Sequence, residues 1–385
     1  MSATISIFQG FILVLVALGV SLATVPLAKK IAWKCGAIDY PSKRRVHTQS
    51  IPRLGGLAIF LGIIVAFGVE IVGERAWGWQ GLTRSLGQQN INYAVFLVGL
   101  AFIFGVGVVD DIKGLKVLQK LVGQIIGALI IALSGVLLTV IKNPFAVGFV
   151  DFNYWVSIPV TVIYLLLFMN AINLLDGLDG LASGVIIIAA TGLLVIACLK
   201  GRIETAILAC LLIGACLGFL RYNWHPATIF MGDSGALLIG ALLGSLSLIG
   251  VMRTPTLAVM AVPLFVAGIA IFDGVWAAIR RRIFRQPVGK ADTWHLHHVL
   301  IRNGLSQQRA VLVIYVWTVL LAAGGVFIST FSGWPAYLAI ILLVAVSGII
   351  IWRIGLIDPV FRHFFNKRGR RANAAHPDSS DKEHK

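Results

Sequence analysis

Charged side chains are scarce in this sequence. Asp, Glu, Lys and Arg make up 12% of its 385 residues, whereas hydrophobic residues make up 58%. A soluble domain usually carries about 25% charged residues, so this chain could not cover its surface with charge in water. Apolar runs of about 20 residues, long enough to cross a bilayer, recur along the whole chain. The composition therefore predicts a polytopic membrane protein.

The sequence also lacks two patterns that would indicate other architectures. Its apolar runs are continuous, without the alternation of apolar and polar residues that marks a membrane β-barrel. Its cysteines, at positions 35, 198, 210 and 216, form no C-x-x-C pair, which argues against a disulfide framework and a zinc site. Because a backbone in lipid must satisfy its own hydrogen bonds, the remaining fold class is all-α.

About eleven transmembrane helices are predicted, with catalytic loops between them on the cytoplasmic side. Their approximate spans are 5–28, 54–73, 92–109, 117–140, 155–172, 181–199, 204–222, 234–252, 257–279, 309–330 and 336–356. They form one transmembrane domain, residues 1–365. The polar, basic segment 366–385 is predicted to be a disordered cytoplasmic tail.

The net charge of +16 is distributed unevenly between the two sides of this topology. The loops assigned to one side hold only six of the 32 Lys and Arg residues. Because cytoplasmic loops carry the excess of Lys and Arg, the N-terminus is predicted to lie outside and the C-terminus in the cytoplasm. The charge is thereby explained without nucleic acid as a partner.

Polar motifs all fall on the predicted cytoplasmic side, in loops or at adjacent helix ends. Ionisable groups so close to a bilayer are costly and therefore indicate function. The motif residues are His47 and Arg53; Asp110, Asp111, Lys120 and Gln124; Asn170, Asn173, Asp176 and Asp179; Asp233 and Ser234; and His295, His297 and His298.

Two of these motifs suggest a geometry. Asn170, Asn173, Asp176 and Asp179 recur every three residues, which places them on one stripe if the segment is helical. The pair Gly55-Gly56 precedes a predicted helix, where exposed backbone N–H groups can approach a phosphate.

The chemistry of the combined set points to phosphate esters. Carboxylate oxygens without a cysteine site suit Mg²⁺ or Mn²⁺, which is usually held by one or two carboxylates and substrate phosphates. Lys, Arg and metal together stabilise the transition state of phosphoryl transfer. A transporter would instead place its acids near the bilayer midplane in two related halves. The residues therefore predict a membrane enzyme that acts on phosphate esters at the inner face.

The motifs closely resemble those of the polyprenyl-phosphate N-acetylhexosamine-1-phosphate transferase superfamily, of the glycosyltransferase family 4 type. Asp110-Asp111 with Lys120 and Gln124 resembles its paired-aspartate motif, and Asn173-x-x-Asp176-Gly-x-Asp179-Gly its most specific signature. The segments 232–235 and 295–298 resemble its metal-aspartate and histidine motifs. The sequence Asp292-x-x-His295-Leu-His297-His298 and the Arg280–Arg282 run are more similar to the UDP-GlcNAc branch than to the phospho-MurNAc-pentapeptide transferases, which remain the alternative.

This resemblance implies transfer of N-acetylglucosamine 1-phosphate from UDP-GlcNAc to undecaprenyl phosphate, with Mg²⁺ as cofactor and UMP as product. The implied setting is the inner (plasma) membrane, with the active site cytoplasmic; a homodimer is left open. Direct attack by the lipid phosphate is favoured, and a covalent intermediate on Asp110 or Asp111 stays open.

The resemblance also assigns roles. The implied catalytic residues are Asp110, Asp111, Lys120, Asp176, His297 and His298. The implied substrate contacts are His47, Arg53, Asn170, Asn173, Asp179, Asn223, Arg282 and His295, with Asp179, Asn173 and Asn223 at the uracil and ribose. The implied metal ligands are Asp233 and Asp176.

Overall fold

The structure, a computed structural model, describes residues 6–41, 50–82, 91–142, 148–251, 268, 273–276, 279, 282–283, 296–331 and 333–355. These residues are overwhelmingly helical. In chain order the helices are α1 (Ile7–Cys35), α2 (Gly56–Ala76), α3 (Tyr93–Lys113), α4 (Val117–Leu133), α5 (Tyr154–Leu175), α6 (Leu181–Lys200), α7 (Ile203–Asn223), α8 (Gly232–Val251), α9 (Leu296–Arg302), α10 (Gln307–Thr330) and α11 (Trp334–Ile354).

Nine helices in the described ranges are long and apolar enough to cross a membrane. The helix α4 is equally apolar but has only 17 residues. The predicted helix over 257–279 lies mostly outside the described residues, so the total of eleven spans stays a prediction, as does the tail after 366. The chain is an all-α integral membrane protein.

The predicted fourth helix, 117–140, was too long. Helix α4 ends at Leu133, because Gly135 has a φ of 101°, a backbone conformation that leaves the helix. A short strand β3 (Val140–Lys142) follows and pairs in antiparallel register with β4 (Phe149–Asp151). A second such pair, β1 (Ile38–Asp39) and β2 (Ile51–Pro52), lies between α1 and α2.

The helices α7 and α8 form the centre of the bundle. In each of these two helices, 89% of the most apolar 18-residue stretch is buried. Helix α7 packs against α1, α2 and α6, while α8 packs against α3 and α5. By contrast, no residue of α11 is buried, so this helix lies at the periphery with its apolar surface available to lipid.

Glycines let three helices meet at the beginning of α8. A side chain at Gly56 of α2 would overlap the backbone of Gly235, and one at Gly107 of α3 would overlap the backbone of Ser234. Backbone therefore packs directly on backbone here. This contact fixes the first turn of α8, which carries Asp233, against the ends of α2 and α3.

Candidate active site

The polar motifs converge at one end of the helix bundle. Asp110 and Asp111 lie in the last turn of α3, Lys120 lies in the first turn of α4, and Asp176 follows the last residue of α5. Asp233 lies in the first turn of α8. These helix ends are distant in sequence, and their side chains contact one another in one cluster.

Lys120 connects two of the carboxylates. Its Nζ lies 2.9 Å from Oδ2 of Asp110 and 2.8 Å from Oδ1 of Asp233. The side-chain amide of Asn173 donates to the same Oδ1 of Asp233. Because Lys120 is only 20% exposed, its charge faces the carboxylates and not bulk solvent. The ammonium group thus holds α3, α4 and α8 together electrostatically.

The adjacent aspartates have different partners. Asp110 Oδ1 also accepts a hydrogen bond from the backbone N–H of Leu115, at 2.7 Å. Asp111 instead faces α8: its Oδ1 accepts from the N–H of Asp233 at 2.8 Å, and its Oδ2 from the N–H of Ser234 at 3.0 Å. A carboxylate in this position satisfies free N–H groups and complements the positive end of the helix dipole.

Arg53 supports the same corner from the strand β2 side. Its guanidinium donates to the backbone carbonyls of Asp110 and Asp111, with distances of 3.1 to 3.3 Å, and its Nε lies 3.8 Å from Oδ1 of Asp111. Arg53 therefore joins the cluster, as the sequence predicted, and adds a second positive charge.

Asp176 lies beside this cluster at the point where α5 ends. The backbone N–H of Gly232 donates to its carboxylate. Desolvation raises the pKa of Asp176 well above the ordinary value, and the negative charges of Asp233, Asp111 and Asp179 raise it further. The ionised form of Asp176 is therefore unfavourable in this position unless a further positive charge balances it.

The segment 170–179 is helical only in its first half, so the stripe expected for a continuous helix is incomplete. Helix α5 ends at Leu175, and Gly180, with a φ of 77°, precedes α6, so 176–180 form a turn. Asn170 and Asn173 lie on one face of α5, but Asp179 points to a different partner. Asp176 thus caps the end of α5, and the left-handed backbone of Gly180 leads into α6.

Asp179 anchors the loop between α7 and α8. Its Oδ2 lies 2.7 Å from Nδ1 of His225 and accepts a hydrogen bond from the N–H of Ala227 at 3.1 Å. His225 was missed in the sequence analysis. The available signal was its position within the polar turn that precedes the Gly232-Asp233-Ser234-Gly235 motif.

Asn223 is a structural residue in this geometry. It is buried, its Oδ1 accepts from the N–H of Gly180 at 3.1 Å, and its Nδ2 donates to the carbonyl of Ile229 at 3.0 Å. The predicted contact of Asn223 with the nucleotide stays a prediction, since both ends of its amide bond the chain in this structure. It holds the 176–180 turn in place for Asp179.

The interpretation of Gly55-Gly56 as a phosphate contact is wrong. Both backbone N–H groups donate to carbonyls, that of Gly55 to Phe230 and that of Gly56 to Met231, each at 2.9 Å. These bonds attach the beginning of α2 to the segment that enters α8. The glycines serve close backbone packing.

The histidine motif is only partly within the described residues. His47 and His295 lie outside them, as does the side chain of His297. His298 is half-buried in α9, and Arg282 is exposed. The carboxylate of buried Asp273 accepts a hydrogen bond from the N–H of Leu296, with both oxygens at 3.2 Å, which fixes the beginning of α9. The roles assigned to these histidines and to Arg282 stay predictions.

The carboxylates of this cluster are the type of ligand that Mg²⁺ prefers. Among the described residues, no three His, Cys, Asp or Glu side chains are arranged to hold a metal ion by themselves. Asp176 and Asp233 nevertheless fit the other common arrangement, in which one or two carboxylates and substrate phosphates share the ion. Burial and the neighbouring carboxylates disfavour the charged form of Asp176, and a divalent cation bound there would offset both effects.

Comparison with known proteins agrees with this chemistry. The sequence model of glycosyl transferase family 4 matches residues 93–251, the segment that contains Asp110 to Asp233. A Bacillus subtilis protein named as a probable undecaprenyl-phosphate N-acetylglucosaminyl 1-phosphate transferase is 36% identical over 94% of this chain and 98% of its own length.

Two further relatives have names that differ in the sugar group they transfer. The decaprenyl-phosphate N-acetylglucosaminephosphotransferase of Mycolicibacterium smegmatis is 36% identical over 82% of this chain and 80% of its own length. The phospho-N-acetylmuramoyl-pentapeptide-transferase of Caldicellulosiruptor bescii is 30% identical over 82% of this chain and 94% of its own length.

Proposed function

Because this chain belongs to glycosyl transferase family 4, we propose that it transfers N-acetylglucosamine 1-phosphate from UDP-GlcNAc to undecaprenyl phosphate or a related polyprenyl phosphate. An oxygen of the lipid phosphate forms a bond to the β-phosphorus of the donor. The bond between that phosphorus and the bridging oxygen breaks, and UMP leaves. The product is polyprenyl-diphospho-N-acetylglucosamine.

One observation carries the proposal: Lys120 bridges Asp110 and Asp233 at the end of a lipid-embedded bundle. Bilayer and water meet at such an end, and a lipid phosphate and a soluble nucleotide sugar can reach it from opposite sides. The orientation proposed from the charge distribution places this end, with the C-terminus, on the cytoplasmic side of the inner membrane.

Each residue of the cluster has a task in this reaction. Mg²⁺, when bound with the donor, neutralises charge on its diphosphate. Asp233 and Asp176 would hold that ion, and Asn173 orients Asp233 through its amide. Lys120 supplies a positive charge beside the transferred phosphoryl group. Asp179 and His225, on the neighbouring loop, lie where the nucleoside would bind.

The geometry supports direct attack by the lipid phosphate. A phosphate monoester has a second pKa near about 6, so the acceptor is largely a dianion at neutral pH and requires no strong base. Both oxygens of Asp111 accept N–H bonds from α8, and Asp110 is bonded to Lys120 and Leu115. Neither carboxylate is a free nucleophile of the kind that a covalent intermediate needs.

The test is a reconstitution with purified protein, Mg²⁺, polyprenyl phosphate and separate UDP-sugars. UDP-GlcNAc is expected to release UMP and form the lipid diphosphate sugar only when the lipid is present. Product from UDP-MurNAc-pentapeptide alone would assign the chain to the branch of the Caldicellulosiruptor relative. Absence of UMP with every donor would refute the proposal.

A further inference from the structure

A second polar pair lies one helical turn deeper in the bundle than the Lys120 cluster. Gln124 follows Lys120 by four residues on α4, and Asn170 precedes Asn173 by three residues on α5, so each shares a helix face with a site residue. Nδ2 of Asn170 donates to Oε1 of Gln124 at 3.0 Å. The pair therefore closes the seam between α4 and α5 directly below the site.

The orientation of both amides is determined by a backbone carbonyl. Nδ2 of Asn170 also donates to the carbonyl of Leu166 at 2.8 Å, and a carbonyl can only accept. The nitrogen of Asn170 is thereby identified, and Gln124 must turn its oxygen toward it. The nitrogen of Gln124 is then turned away from the Asn170 amide.

That nitrogen is a buried donor without an acceptor. Gln124 is 1% exposed, and its Nε2 has no hydrogen-bond partner among the described residues. A buried donor left unpaired is costly, and such groups in native proteins usually have a ligand or an ordered water as partner. The Asn170 contact explains why Gln124 keeps this orientation in spite of the cost.

The depth of the pair indicates the ligand. Asn170 is exposed although its partner is buried, and on α4 the apolar neighbours Leu121 and Ile125 are each 38% exposed. The outer side of the seam therefore faces the bilayer. A polyprenyl phosphate, whose chain lies in the bilayer, reaches the cluster from this side, whereas a soluble nucleotide sugar approaches the cluster from the water.

We propose that the Nε2–H of Gln124 donates to the phosphate of the polyprenyl acceptor, and that Asn170 is a positioning residue that holds the Gln124 amide in this orientation. The inference rests on the proposed function. A neutral amide is suited to this role because it binds the phosphate without neutralising the attacking oxygen. A second lysine at this depth would bury another charge and weaken the nucleophile.

The test separates the two substrates. Full-length wild-type protein, Gln124→Met and Asn170→Leu are reconstituted in lipid nanodiscs, and UMP release is measured while polyprenyl phosphate and UDP-GlcNAc are varied independently. Gln124→Met is expected to raise KM for the lipid about tenfold or more, with KM for UDP-GlcNAc within about twofold of wild type. Asn170→Leu is expected to show the same selective change, to a smaller extent. Gln80→Met, at an exposed glutamine beyond the end of α2 that is remote from the cluster, is the control.

Direct binding of radiolabelled polyprenyl phosphate to the same samples gives a readout that does not depend on turnover. Wild type and Gln80→Met should retain the lipid, and Gln124→Met should lose most of it. Wild-type lipid affinity in Gln124→Met, or an equal rise in both KM values, would overturn the inference. If wild type binds the lipid but releases no UMP from any donor, the proposed function fails while selective loss of binding in Gln124→Met still supports the lipid contact.

Discussion

Asp111 caps the helix that carries Asp233. Its two carboxylate oxygens accept the N–H groups of Asp233 and Ser234, at 2.8 and 3.0 Å. One member of the aspartate pair thus builds the site, while its neighbour, Asp110, faces Lys120. Two residues that look equivalent in sequence differ in role because successive side chains of a helix point in different directions.

Substitution of the two aspartates should therefore have different consequences. In Asp111→Asn an amide NH₂ would face one of the α8 N–H groups, so we expect a loss of stability of about 1–3 kcal/mol together with loss of activity. Asp110→Asn retains an oxygen for Leu115, and Lys120 keeps Asp233 as its partner, so this variant should lose activity with a smaller loss of stability. Thermal unfolding in detergent, alongside UMP release, distinguishes the two. Equal melting temperatures for both variants would contradict the capping role.

Lys120 is expected to tolerate no replacement. Lys120→Gln should lower kcat at least about a hundredfold, equivalent to about 2.7 kcal/mol. Lys120→Arg should not restore it, because a planar guanidinium cannot replace a compact ammonium between two carboxylates 2.8 and 2.9 Å away. Lys116→Gln, exposed at the beginning of α4, is the control and should stay near wild type. Substantial activity in Lys120→Arg would show that any positive charge suffices.

The sequence predicted which polar residues lie on the same side better than it predicted helix ends and contacts between loops. Continuous apolar runs and the polar motifs at one side were sufficient to predict most of the long helices in the described ranges, and to place Asp110, Lys120, Asn173 and Asp233 on the same side. The end of α4 at Leu133 was not predicted, because apolar composition continues past Gly135, where the backbone leaves the helix. The pairing of Asp179 with His225 depends on two loops that no local pattern relates.

Metal removal should abolish turnover without unfolding the protein. In the described residues no three side chains hold an ion by themselves, so Mg²⁺ is expected to bind mainly with the donor diphosphate. EDTA should stop UMP release, Mg²⁺ or Mn²⁺ should restore it, and the melting temperature without substrate should change little. A large decrease in melting temperature on chelation would instead indicate a resident structural ion.

Asp233→Asn tests the metal ligand directly. The amide keeps the size of the side chain and can still face Asn173 or Lys120, but it lacks the charge that attracts a divalent cation. We expect less than a tenth of wild-type kcat, a loss of more than about 1.4 kcal/mol, in protein that is folded and present in normal amounts. Higher residual activity at saturating Mg²⁺ would remove Asp233 from the set of ligands.

Asp179 and His225 should act as one unit in the binding of UDP-GlcNAc. The carboxylate holds Nδ1 of the imidazole at 2.7 Å and the N–H of Ala227 at 3.1 Å, so it fixes the ring and the loop together. Asp179→Ala is expected to raise KM for UDP-GlcNAc or to weaken UMP binding about tenfold or more, and His225→Ala to do the same to a smaller extent. In the double variant the two effects should not add, because each single change already breaks the shared contact.

Gln308→Ala provides the control for this pair. Gln308 donates to the backbone carbonyl of His225 at 3.5 Å, the outer limit of a hydrogen bond, so its loss should leave UMP affinity near wild type. Calorimetric titration with UMP measures binding without turnover, and lipid binding measured in parallel should be unchanged in all four proteins. Additive losses in the double variant would mean that Asp179 and His225 act on the donor separately, and an unchanged UMP affinity in Asp179→Ala would place the nucleoside elsewhere in the cluster.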